Sequence, residues 1–185
     1  MGRSDEGIAQ LKRAQALEPL TPFSCSYVAE NLYGARRYDE SIAEAKRALE
    51  LDPGYAWAHA VLGKSYSQKG MHEDAIAALQ EAHTLKPDDP DQEADLGRAY
   101  ALAGRRDQAL QVLQGLRSAS KRVSAIDMAG LLVALGEKDD ALDTLEGAFE
   151  ERQGSVVWIN VEPKLDPLRD EPRFQALVRR LNLPE

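Results

Sequence analysis

Apolar residues recur every three or four positions along most of this chain, the spacing that predicts amphipathic α-helices. In the segment AWAHAVLGKSYSQKG, Leu62 and Tyr66 lie four residues apart and share one face of a predicted helix. Gly63 between them is a poor helix former, so we predict that another backbone approaches closely there. Gly70 then permits the left-handed conformation of a helix end.

The next segment, MHEDAIAALQEAHTLKP, predicts a second amphipathic helix. Its small and apolar face consists of Ala75, Ile76, Leu79 and Ala82. Alanines on this face allow the two helices to pack tightly against each other. Pro87 ends the second helix, because proline cannot continue a helix without the loss of a backbone hydrogen bond.

The same pair of helices recurs at an interval of 34 residues. Pro19, Pro53 and Pro87 close the similar phrases QALEP, LELDP and HTLKP. A parallel series, with a slightly shorter last step, is formed by Leu11, Ala45, Leu79, Leu113 and Leu145. A fixed period of this length predicts an array of stacked helical repeats.

Two copies of the repeat carry a recognisable motif. The first reads His59-x2-Leu62-Gly63-x2-Tyr66, then Ala75-x3-Leu79 and Pro87. The second reads Glu93-x2-Leu96-Gly97-x2-Tyr100, then Ala109-x3-Leu113. These residues resemble the tetratricopeptide repeat family. The resemblance implies an all-α fold: a right-handed solenoid of stacked antiparallel helix pairs with a C-terminal capping helix.

The repeat frame divides the chain into six segments. Residues 1–21 are expected to be the second helix of a truncated repeat, with an exposed apolar stripe of Ile8, Leu11 and Leu17. Four repeats follow over 22–55, 56–89, 90–121 and, in divergent form, 122–155. Residues 156–185 are expected to cap the array through a final helix that begins near Pro172, together with Trp158 and Ile159. The tail also resembles the endings of larger bacterial multidomain proteins, which suggests a C-terminal segment of such a protein.

Composition narrows the classes of function. The net charge of −8 argues against a nucleic-acid surface, which needs a concentrated basic field. Cys25 is the single cysteine, so neither an internal disulfide nor a cysteine zinc site is expected. This usage fits a reducing compartment, and we expect a cytoplasmic location. No apolar run approaches the ~20 residues that span a bilayer, so membrane insertion is not expected.

The three histidines fall close together in sequence but lack the spacing of a metal motif. His59, His72 and His83 include no pair four residues apart, and no H-E-x-x-H pattern is present. The chain also lacks a G-x-S-x-G elbow and a glycine-rich phosphate loop. We therefore expect no catalytic residue, no metal and no cofactor.

The remaining candidate is a surface for a protein partner. In the family that the chain resembles, the first helices of successive repeats line the concave face. That likeness implies a face formed by Phe23, Tyr27, Glu30, Tyr33, Trp57, Val61, Lys64, Asp91, Asp95, Arg98, Val123, Ile126 and Asp127. Of these, the predicted partner-binding residues are Tyr27, Glu30, Tyr33, Trp57, Val61, Lys64, Asp95 and Arg98. The alternative for the aromatic residues is packing between helices.

We therefore expect a non-enzymatic protein–protein interaction module that binds a peptide or a helix of a partner in its concave groove. Family members that bind acidic chaperone C-termini use Lys, Asn and Arg on this face to hold the carboxylate. The matching positions here hold Ser26, Glu30, Val61, Asp91 and Asp95, so that ligand is not expected. The alternative function is self-association, in which the first repeat or the tail around Trp158 forms a homodimer of a larger regulatory protein.

Overall fold

The structure, a computed structural model, describes residues 2–17, 21–118 and 123–181. These residues form ten α-helices and two short 3₁₀ helices, and they contain no strand. The α-helices are α1 Gly2–Leu17, α2 Pro22–Gly34, α3 Tyr38–Leu51, α4 Ala56–Gln68, α5 His72–Leu85, α6 Pro90–Leu102, α7 Arg106–Ser118, α8 Ala125–Leu135, α9 Lys138–Glu150 and α10 Pro172–Leu181. The 3₁₀ helices are Gly154–Trp158 and Pro163–Leu168. The all-α prediction is confirmed.

The chain divides into two compact units, Met1–Asp88 and Asp89–Glu185. In unit 1, α2 packs on α3 and α4 packs on α5, so each predicted repeat is a helix pair. α2 begins at Pro22, after a capping box in which the Thr21 hydroxyl accepts from the Ser24 backbone N–H. α3 and α5 end before Pro53 and Pro87, as predicted. Pro19, the first member of that series, lies outside the described residues.

Small residues allow the helices of unit 1 to approach closely. A Cβ atom added to Gly63 would lie 2.5 Å from Leu79 Cγ and 3.1 Å from the Ala75 carbonyl oxygen. The close approach predicted at Gly63 is therefore confirmed. Gly70 has a φ of +72°, the left-handed conformation predicted for the end of α4.

The apolar stripe of α1 is only partly exposed, which corrects the sequence expectation. Ile8 is buried against Val28 and Leu32 of α2, and Leu11 packs on the same cluster. Leu17 alone of the three is largely exposed. α1 thus uses the face of α2 as its partner, although no first helix of its own repeat precedes it in the described residues.

In unit 2, α6 packs on α7 and α8 packs on α9, again as helix pairs. After α9 the helical period stops, and the two 3₁₀ helices lead to α10. The capping helix begins at Pro172 as predicted, and it buries Phe174 and Leu177 while packing on α9. Ile159 is buried as expected, but Trp158 is 62% exposed, so the expectation that Trp158 covers the end of the array is wrong.

Candidate partner-binding surface

Three aromatic side chains from α2 and α4 contact one another on the surface of unit 1. Phe23 and Tyr27 are four residues apart on α2, and their rings are parallel with centroids 6.1 Å apart. The Trp57 ring of α4 lies 5.8 Å from the Phe23 centroid and 6.4 Å from the Tyr27 centroid, tilted to both. We call these three residues the aromatic surface. Phe23 is 60% exposed and Tyr27 is 45% exposed, which is unusual for large apolar side chains in contact.

A charged pair borders the aromatic surface. Glu30 accepts a hydrogen bond from Trp57 Nε1 at 3.3 Å and one from Lys64 Nζ at 2.6 Å. The Lys64 ammonium also lies 5.2 Å from the centroid of the Tyr33 ring, a cation–π contact. Glu30 therefore fixes the orientation of the Trp57 ring and holds Lys64 beside it.

The predicted site residues divide into two groups. The first group is brought together in unit 1, and each of its side chains is at least partly exposed to solvent: Tyr27, Trp57, Glu30 and Lys64. Tyr33 and Val61 are buried in the packing of unit 1 and present almost no surface to a ligand. Asp95 and Arg98 belong to unit 2, where both are buried. Phe23, the most exposed of the three rings, was placed on the face by the sequence but was not among the predicted contact residues.

A buried cluster of one lysine and two aspartates in unit 2 was not predicted. The ammonium of Lys164, from the second 3₁₀ helix, donates to Asp95 of α6 at 2.6 Å and also to Asp127 of α8. Burial raises the pKa of Asp127 to about 6, although the Lys164 charge opposes the rise. Lys164 lies 69 residues after Asp95, and a lone lysine in the phrase VEPKLDP was the only signal in the sequence.

The other residues with possible chemistry have structural surroundings. His59 Nε2 lies 2.8 Å from the Pro53 carbonyl oxygen, a bond to the turn that precedes α4. Cys25 is buried, and this burial raises the pKa of its thiol. Within the part of the chain that the structure describes, no three His, Cys, Asp or Glu side chains converge as metal ligands. No helix in that part is both long and apolar enough to cross a bilayer.

Comparisons with known proteins relate this geometry to a family. Residues 32–80 and 66–125 both match the family model described as tetratricopeptide repeat, and together they cover about half of the chain. The comparison with curated proteins finds no match.

Solved structures share the fold. A thermophilic tetratricopeptide-repeat protein of Thermus thermophilus superposes with a TM-score of 0.66 at 21% identity, over 98% of this chain and 92% of that one. MamA superposes with a TM-score of 0.58 at 20% identity, over 84% and 92%. YrrB, described as a tetratricopeptide-repeat protein with an unusual peptide-binding site, gives 0.55 at 17% identity, over 94% and 98%. The helix pairs, the repeat motif and the family match together identify this chain as a member of the tetratricopeptide repeat family, with the all-α helix-pair solenoid as its fold class.

Proposed function

We propose that unit 1 binds a segment of a partner protein, either a peptide or a helix, on the aromatic surface of α2 and α4. The single observation that carries this proposal is the contact of three aromatic rings, two of them about half exposed, on neighbouring first helices. Aromatic side chains supply large contact area at a low cost in conformational entropy, and they dominate interface hot spots. The proposed role is binding without catalysis.

The charged border supports specificity. Glu30 and Lys64 are held in fixed orientations beside the rings, so a partner segment meets one carboxylate and one ammonium at defined positions. Tyr33 and Val61 are buried and support the surface by packing rather than by contact with the partner. Asp95 and Arg98 are also buried, and we propose no direct contact of either with the partner. The described peptide-binding site of YrrB, which shares the fold, supports a peptide as the class of ligand. For the compartment we propose the cytoplasm, on the basis of the single, buried cysteine.

The test is selection of a random peptide library on the wild-type chain, followed by affinity measurement for the selected peptides. In the Phe23→Ala, Tyr27→Ala double variant we expect at least about tenfold weaker binding, because truncation of hot-spot aromatics typically costs more than ~1 kcal/mol each. Both side chains are exposed, so the helix pair should remain folded. Leu51→Ala, which truncates another exposed apolar residue of unit 1, is the matched control. Equal affinities for wild type and the double variant would place the binding site elsewhere.

Self-association is the second candidate function, and a specific feature of unit 2 favours it. Val157, Trp158 and Val161 are exposed large apolar residues around the first 3₁₀ helix. We call them the tail patch. Exposed apolar patches mark interaction sites on soluble proteins, and a patch of this kind can pair with its copy around a two-fold axis.

A further inference from the structure

Helices α6 and α8 form a slot that holds a lysine side chain from the tail. Lys164 is 2% exposed, although lysine is among the residues that are rarely buried. Its ammonium donates to Asp95 Oδ1 at 2.6 Å and to Asp127 Oδ1. We call the slot between these two carboxylates and Gly130 the lysine slot.

Gly130 shapes the wall along which the aliphatic part of the lysine lies. A Cβ atom added to Gly130 would be 2.5 Å from Lys164 Cδ and 2.9 Å from Cγ, far inside contact distance. Any larger residue at this position of α8 would occupy the path of the lysine side chain. The slot is therefore matched to a straight alkyl chain that ends in a cation, which is the shape of lysine.

The carboxylates around the slot favour a cation inside it. Asp91 lies one turn before Asp95 on α6 and accepts a hydrogen bond from the Ser124 backbone N–H at 2.7 Å. Burial raises the pKa values of Asp91 and Asp127, and in both cases the Lys164 charge acts in the opposite direction. An empty slot would lack the ammonium that Asp95 and Asp127 both contact, and removal of one member of a buried ion pair is costly in a protein interior.

The segment that carries Lys164 packs on the repeats without continuing them. Pro163–Leu168 is a 3₁₀ helix that contacts α8. It buries Leu165 and Leu168, which are three residues and therefore one turn apart. The Glu162 carboxylate accepts from the Lys164 backbone N–H and caps this turn. The tail thus presents one lysine and two leucines to the helices, in the manner of a short peptide ligand.

We propose that the lysine slot is a binding site in its own right, which the chain fills with its own Lys164, and that a lysine-bearing segment of a partner protein binds there by displacing residues 163–168. The ligand chemistry is a primary alkylammonium followed by apolar residues one and four positions later. This site lies in unit 2 and is independent of the aromatic surface in unit 1.

The first test uses the full chain with Lys164→Ala and n-butylammonium chloride as the probe. We expect the thermal midpoint of this variant to rise saturably with n-butylammonium, whereas equimolar sodium chloride or n-butanol has a much smaller effect. The wild type, whose slot is filled, should not respond in this way, nor should Lys164→Ala combined with Asp95→Asn and Asp127→Asn. If Lys164→Ala does not fold on its own, n-butylammonium should restore its helical circular dichroism. An equal response of wild type and variant, or no response in either assay, would overturn the proposal.

The second test asks whether a segment from another molecule enters the slot. The probe is a synthetic peptide with the sequence NVEPKLDPLRD of residues 160–170, beside a matched peptide with norleucine in place of lysine. We expect the lysine peptide to bind the Lys164→Ala chain at least about tenfold more tightly than the wild type, because the wild-type tail fills the slot with its own lysine at a high effective concentration. Equal binding of both peptides, or binding of neither to the folded variant, would mean that the slot is only an internal bridge.

Discussion

Two helical glycines of this chain have opposite surroundings. Gly63 of α4 faces α5, where an added Cβ would lie 2.5 Å from Leu79 Cγ. For Gly147 of α9, such a Cβ meets nothing within 4 Å beyond its chain neighbours and the local helix backbone, and the φ of Gly147 is not positive. The same substitution therefore meets a packed helix interface at one position and open space at the other.

We predict opposite effects of alanine at these positions. Gly147→Ala should stabilise the fold by roughly 0.5–1 kcal/mol, because alanine loses less backbone entropy in a helix. Gly63→Ala should destabilise it by about 1–3 kcal/mol, because the new methyl group overpacks α4 against α5. Urea unfolding followed by circular dichroism measures both changes. Stabilisation by both substitutions would show that α4 and α5 are less tightly packed than described.

At the scale of elements, one side chain joins the tail to two helices. The Lys164 ammonium donates hydrogen bonds to Asp95 of α6 and Asp127 of α8. The negative charge of Asp91 of α6 contributes to raising the pKa of Asp127. Burial raises the pKa of Asp127 from its ordinary value of 3.8 to about 6. Folding therefore takes up a proton between these values, and Asp127 favours the folded state more as the pH falls from about 6 towards 4.

We predict that Lys164→Met destabilises unit 2 in a pH-dependent way. At pH 7.5 the loss should be on the order of 3–5 kcal/mol, because two buried carboxylates lose their cation. Removal of that cation raises the pKa of Asp127 further, so at pH 5 the carboxyl is protonated and the loss should be smaller. Urea unfolding at the two pH values measures the difference.

Lys138→Met is the matched control, because Lys138 forms an exposed ion pair with Glu171 in the same unit. Such pairs contribute only about 0–1 kcal/mol, so the control should unfold much like the wild type. A loss for Lys164→Met that is the same at both pH values would contradict the role of the buried charges.

At the scale of the whole molecule, the tail patch is the surface through which we propose that two copies of the chain associate. The net charge of −8 makes copies of the chain repel one another at neutral pH, and burial of exposed apolar side chains is a contribution that opposes this repulsion. Trp158 is the largest exposed apolar side chain of the tail, at 62% exposure. It contributes little to the packing of its own unit and is available to a second copy.

If the tail patch mediates self-association, light scattering at micromolar concentration should give twice the chain mass of 20.4 kDa. Trp158→Ser should then return the mass to that of one chain, because the interface loses its main apolar contact. The Phe23→Ala, Tyr27→Ala variant should retain the mass of two chains, since those residues belong to unit 1. A wild-type mass of 20.4 kDa would eliminate self-association at that concentration and leave the partner-binding proposal in place.

The helices and their limits follow from the sequence by itself, because their signals act within a few residues. Pro53 and Pro87 after α3 and α5, Gly70 at the end of α4 and Pro172 at the start of α10 all predict helix limits that the structure confirms. Backbone dihedral limits and hydrogen-bond donors are local properties, so they can be read along the chain. The repeat pattern of the family also led us to expect Tyr27 and Trp57 on one face, because they lie on the first helices of neighbouring repeats.

Only the tertiary structure decided which side chains are buried and what they meet. Val61 and Tyr33 are buried, although the repeat pattern predicted them on a binding face. Ile8 packs against α2, whereas Trp158 is exposed. Lys164 meets Asp95 across 69 residues and Asp127 across 37. Contacts of this separation depend on how helices pack and on the path of an irregular tail, and no local pattern of residues encodes either one.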